Sequence, residues 1–203
     1  MASDVDICNL ALSLIGQDAN ITSIDPPDST VEADHCARFY PIARAALLQA
    51  HAWGFATRRQ ALASVENDVD HWAFAYALPN PCIRPLAVLL PQSSDDSKVY
   101  PFALESDADG VPLLYTNVEA AVLKYTTLVT DPTRFPPLFV VAFARLLAYY
   151  IAGPITKNEK LVQEQLKLFE GIDLPRAAGS DGNSQKNHPY SAARVPSAIQ
   201  ARQ

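Results

Sequence analysis

Three carboxylate groups are the first residues whose type and spacing could do chemistry: Asp68-Val69-Asp70, Asp95-Asp96 and Asp107-Ala108-Asp109. Paired carboxylates hydrolyse glycosidic bonds when an apolar pocket keeps one of them protonated. Here all three groups sit among turn-forming residues, so they read as solvated turn caps rather than an acid–base pair. The run Asp107-Ala108-Asp109-Gly110 has the start of a calcium loop, but the remaining ligand positions and the distal Glu are missing.

Nucleophile and metal chemistry are equally sparse. The chain has no G-x-S-x-G, and its seven glycines form no phosphate-cradling loop. The cysteines, Cys8, Cys36 and Cys82, have no C-x-x-C spacing and read as buried free thiols. His35 adjoins Cys36, but neighbours on a helix point about 100° apart and chelate poorly. His51, before Trp53 and Phe55, reads as a residue at a helix C-terminus packed under aromatics. His71-Trp72, before Phe74 and Tyr76, reads as an aromatic patch, core or interface, and His188 lies in the polar C-terminal segment. The only paired cations near aromatics are Arg58-Arg59, too few for a nucleic-acid groove. The sequence therefore predicts no catalytic, cofactor or metal residues.

The elements that would position any site follow from periodicity. Ser3 is a good N-cap for a helix to Gly16, with Ile7, Leu10, Ala11, Leu14 and Ile15 on one stripe. Ser29 and Glu32 match a capping box for a second helix to about Ala50, with Pro41 inside it as an expected kink. From residue 53 to 130 the helical period fades. Short β-leaning runs take over at Phe55–Leu62, Ile83–Leu90, Lys98–Leu104, Pro112–Thr116 and Ala120–Val129. Helix returns at Leu138–Ala152, apolar nearly all round and so central, and Gly153-Pro154 should stop it. Thr156 would cap a fourth helix ending at Gly171. The expected fold is α+β: a bundle of about four helices from residues 1–52 and 131–171, a small antiparallel β domain inserted at 53–130, and an extended C-terminal tail at 172–203.

Charge and hydropathy separate that tail from the body. The net charge of −6 argues against a protein that coats nucleic acid. Residues 172–203 carry +2 from Arg176, Lys186, Arg194 and Arg202 against Asp173 and Asp181, which leaves −8 on the rest. The tail lacks the apolar density to fold alone. Its spaced anchors Tyr190, Val195 and Ile199, with Arg194 and Arg202 among them, mark it as a segment that orders on a partner. No apolar run reaches the roughly 20 residues of a bilayer span, since Arg145 interrupts Leu138–Ile151. The N-terminus has no basic n-region, so the expectation is a soluble chain with no signal peptide and no membrane partner.

Four stretches in order carry a resemblance. They are Ile7-Cys8-Asn9-Leu10-Ala11-Leu12-Ser13-Leu14-Ile15-Gly16 with Ile21-Thr22-Ser23-Ile24-Asp25; Arg44-Ala45-Ala46-Leu47-Leu48 followed by His51, Trp53, Phe55-Ala56, Arg59 and Leu62; Trp72-Ala73-Phe74-Ala75-Tyr76-Ala77-Leu78-Pro79 with Cys82-Ile83-Arg84; and Leu147-Ala148, Ile151-Ala152 and Pro154-Ile155-Thr156. Together they resemble the podovirus tubular tail protein A family over about residues 5–170. Phe74 stands where that family has a Tyr, and Pro81 where it usually has an Asp.

The resemblance implies a structural virion protein in the short tail at the portal vertex. It implies a ring of twelve copies with its helical part against the portal protein, its β part toward the tail nozzle protein, and genomic DNA passing through the lumen without sequence-specific binding. An acidic wall suits such a conduit because it repels phosphates. The candidate partner-binding residues, toward the portal or a neighbouring subunit, are Tyr190, Arg194, Val195, Ile199 and Arg202. Two other functions stay open at this point. A muramidase-like cell-wall hydrolase would require a cleft with a buried carboxylate. A head-completion stopper would require a loop projecting into the lumen, for which Gln92 to Lys98 is the candidate.

Overall fold

The structure, a computed structural model, describes residues 2–91, 98–107 and 109–185. It is α+β, with helices at both ends of the described chain and two small antiparallel sheets between them.

Helix α1, Asp4–Leu14, begins as the sequence dictates. The Asp6 N–H donates to Ser3 Oγ at 3.1 Å, and the Ser3 N–H donates to Asp6 Oδ2 at 2.9 Å. This reciprocal box satisfies two N–H groups that the first turn would otherwise leave unpaired. At the other end Gly16 takes φ +72°. The Gly16 and Gln17 N–H groups then reach back to the Ser13 and Leu12 carbonyls, a Schellman ending that a side chain at Gly16 would strain.

Helix α2, Val31–Ala50, is capped by Thr30 instead of Ser29, through the Ala33 N–H to Thr30 Oγ1 at 3.2 Å. Helix α3, Pro137–Thr156, runs four residues past the expected stop. Pro154 lies in its last turn, and the Thr156 hydroxyl donates back to the Ala152 carbonyl at 2.7 Å. Lys157, at φ 52°, ends it, and its N–H bonds the Gly153 carbonyl. Thr156 therefore closes α3, and Asn158 caps α4, Glu159–Leu168, by accepting from the Leu161 N–H.

Gly171 does not end the helical path. It lies in a π turn, Phe169–Asp173, that leads directly into α5, Leu174–Gln185. The extended tail expected from residue 172 is thus helical as far as Gln185. The physical reason is tertiary. Ala177 is buried against α3, Leu174 packs on the same cluster, and Asp173 pairs with Arg145. These contacts outweigh the poor helix propensity of Gly179 and Gly182.

Helix α3 is the hub, packed against α1, α2, α4 and α5. Phe139, Phe143, Leu147 and Ile151 are fully or almost fully buried along it. At 20 residues it is long and apolar enough to cross a bilayer, which the expectation of no such run missed; half of it is buried in this core. Its one charge, Arg145, turns inward. Arg145 Nε donates to Asp173 Oδ2 at 2.8 Å and Nη1 to Gln165 Oε1 at 2.8 Å, while Gln165 Nε2 donates to the Leu14 carbonyl at 3.3 Å. The network ties α1, α3, α4 and the π turn together, and each buried polar group in it has a partner.

Among its described residues the β region holds seven short strands: β1 Thr57–Ala61, β2 Ala63–Val65, β3 Phe74–Ala77, β4 Arg84–Leu89, β5 Phe102–Ser106, β6 Pro112–Thr116 and β7 Val122–Thr126. They form a three-stranded sheet, β1-β7-β4, and a four-stranded sheet, β2-β3-β6-β5. Pro85 lies on the edge strand β4, where a missing N–H is tolerated and where the register slips by one residue. Tyr76, Val88, Leu114, Leu123 and Tyr125 meet between the sheets. Ala75, Leu113 and Tyr115 point to the other face of the larger sheet, where Trp72 and Val69 cover them. The aromatic patch of the sequence therefore splits by strand alternation: Tyr76 faces the inner core, and Trp72 belongs to the outer cluster.

Candidate functional site

The sharpest surface feature is a groove where the helical and β regions join. Its floor comes from a short 3-10 turn, Gly54–Ala56, with Trp53 before it, and from the first turn of α3. Trp53 is held in place because its indole N–H donates to the Leu47 carbonyl at 2.8 Å, which satisfies the polar edge of a buried ring. Phe139 stands edge-on to Trp53 and to Phe55, each at 4.9 Å between ring centroids. Pro136 and Pro137 open α3 at positions where a missing N–H costs nothing, and they add apolar wall.

Helix α5 forms the opposite wall with Ala177, Ser180, Asp181 and Ser184. The Gly54 N–H donates to both oxygens of Asp181 at 3.0 Å, and His51 Nε2 lies 3.5 Å from the same carboxylate. Asp181 is thus the latch between α5 and the end of α2. The groove encloses about 480 Å³, enough for one aromatic side chain and its neighbours. It is apolar with one carboxylate already committed to the backbone, an arrangement suited to holding a hydrophobic segment.

Among the described residues, those whose side chains could do chemistry do not converge. Asp107 accepts from the Asp109 and Val111 N–H groups at 3.0 and 2.8 Å and is a turn cap. Asp68 and Asp70 are exposed on the β2–β3 connection, and Asp95 and Asp96 lie outside the described residues. His35 stacks toward Phe39, which stacks on Tyr150; His71 is exposed beside Trp72. Cys8 and Cys36 are buried free thiols facing each other from α1 and α2. The hydrogen bond to Cys36, together with burial, pushes the Cys8 thiol up, away from the reactive thiolate. Cys82 is half-buried, not buried as expected, and burial raises it too. Among the described residues, no three His, Cys, Asp or Glu side chains gather as metal ligands would.

The candidate partner residues Tyr190, Arg194, Val195, Ile199 and Arg202 all lie outside the described residues. Reading the sequence missed the roles of Asp181 and Asp173, because both fell in a segment too polar to suggest packing. One signal was available for Asp173: a lone Arg145 in an otherwise apolar helix must find an acidic or amide partner if it is buried. No protein-family model matches the chain, and no curated protein matches it.

Proposed function

We propose that this chain is the repeating subunit of an adaptor ring that joins a phage portal to the tail nozzle and forms part of the DNA ejection channel. The observation that carries the reading is the order and spacing of the four sequence stretches across residues 5–170 that resemble the podovirus tubular tail protein A family. The proposal includes a ring of twelve copies, the portal and nozzle proteins as partners, and a place in the virion tail. It assigns no enzymatic activity. Two features are compatible with it: the acidic balance of residues 1–171, which repels DNA, and the split of the molecule into a helical core and a β core that can meet different partners. Tyr190, Arg194, Val195, Ile199 and Arg202 are the proposed contacts with the portal or a neighbouring subunit. A ring repeats each such contact, so modest affinity per tail becomes firm attachment.

The deciding experiment is electron microscopy of the protein mixed with its cognate portal. The expected result is a ring coaxial with the portal. Particles with bare portals at saturating protein would remove the adaptor reading. Clearing on a peptidoglycan zymogram that disappears on mutation of one carboxylate would replace it with a hydrolase.

A further inference from the structure

The structure leaves an apolar groove beside the point where its last described helix ends. Trp53, Phe55, Leu138 and Phe139 line it, and Ser184, one residue before the end of α5, sits on its wall. The chain continues for a further 18 residues, 186–203. After Leu174, the first large apolar residue in the sequence is Tyr190, with Pro189 before it.

We infer that this groove is the docking site of the chain's own C-terminal segment, with the Tyr190 ring as the inserted group. Reach permits it. Tyr190 lies six positions after Ser184, and an extended chain covers about 20 Å over that distance. Chemistry favours it. A tyrosine wants an apolar bed for its ring and a hydrogen-bond partner for its hydroxyl. The groove offers the accessible surface of Phe55, Pro136, Pro137 and Leu138 on one side, with Trp53 and Phe139 buried beneath them, and the Ser180 and Ser184 hydroxyls on the other. Mass action favours this occupant over a second copy, since a short tether holds the segment at an effective concentration in about the millimolar range. The inference is independent of the adaptor reading. Where both hold, a partner must draw Tyr190 out of the groove, so the contact would restrain premature assembly.

The test uses the full chain. The Leu138 amide precedes the first hydrogen bond of α3, from the Val140 N–H to the Pro136 carbonyl, and Leu138 is only half-buried on the groove wall, so cover from the groove's occupant is what would slow its hydrogen exchange. In Tyr190→Ser this amide should exchange about tenfold faster or more, while Ile199→Ser should leave it as in the parent. Protection in the parent should survive dilution by roughly a hundredfold, as an intramolecular contact must. A peptide of residues 186–200, added to the Tyr190→Ser protein, should restore it. Equal exchange in parent and Tyr190→Ser would overturn the inference. Protection that fades on dilution would overturn it as well, by making a second copy the occupant. Neither result bears on whether rings form on portals.

Discussion

Helices α3 and α5 pack against each other, yet they are held by opposite means. Helix α3 buries nine of its residues in the main core, and its sequence is apolar almost throughout. Helix α5 carries two glycines, two serines and an asparagine, and buries little beyond Ala177. What fixes α5 is a pair of carboxylates at defined places: Asp173 on Arg145 at its start and Asp181 on the Gly54 N–H one turn from its end. Area that is buried everywhere tolerates local loss, whereas two polar anchors do not. The lesson is that a helix poor in apolar residues can still belong to the body when its few polar groups answer unmet needs elsewhere. Arg145 would otherwise be a largely buried charge without a counter-ion, and the exposed Gly54 N–H would bond water instead of α5.

The largest expected effect tests the anchors. Asp173→Ala strands Arg145 in the core and should cost about 3–5 kcal/mol in denaturant unfolding, because an uncompensated buried charge is left behind. The double variant Arg145→Met with Asp173→Leu should recover most of that loss. A single-variant cost no larger than that of a surface substitution would show that α5 does not depend on this pair. Next comes the apolar side of the comparison. Leu147 is fully buried at the centre of α3, and Leu147→Ala should cost about 2–5 kcal/mol through lost transfer energy and a cavity that closes only in part. A thermal midpoint within error of the parent's would mean that α3 is not central.

A smaller effect of opposite sign sharpens the contrast. A Cβ added at Gly179 would meet nothing within 4 Å, so Gly179→Ala should stabilise α5 by roughly 0.5–1 kcal/mol by reducing the freedom of the unfolded chain. If hydrogen exchange in α5 does not slow in that variant, its helix is limited by the anchors and not by propensity.

The smallest expected effect concerns acid. Hydrogen bonds from the Thr22 and Ser23 backbone and the Thr22 hydroxyl lower the Asp28 carboxyl below its ordinary value, and those from Ser3 do the same for Asp6. A carboxyl depressed in the folded state adds stability that is fully present above its unfolded pKa, near 3.8, and is lost as pH falls through the lower folded value. Asp28→Asn should therefore flatten the fall in stability below that pH without changing its shape near neutrality. Parallel pH profiles for parent and variant would show that these exposed turns contribute nothing measurable.

How much was legible follows the same division. The N-cap at Ser3 and the stop at Gly16 could be read directly, because a cap is a contact between residues a few positions apart, although the capping box expected at Ser29 and Glu32 gave way to a cap at Thr30. The central place of α3 could be read because an all-round apolar helix has to be buried. Five of the seven strands were expected near their observed positions. The remaining two, β2 and β3, escaped because Ala63–Val65 is too short to show alternation, and because Phe74–Ala77 is buried on both faces and shows none. Nothing in local sequence announced α5.

By itself, then, the sequence determined the mixed α+β class, the caps of the first helix and the hub helix, all of which depend on composition or on neighbours along the chain. Only the tertiary structure decided that the helical path passes through Gly171 and that Arg145 meets Asp173. It likewise decided that Asp181 latches onto Gly54, with an aromatic groove left beside the end of α5. Those outcomes rest on contacts between residues 28 to 127 positions apart, and their free energies exceed the local preferences of glycine and proline that a sequence displays most plainly.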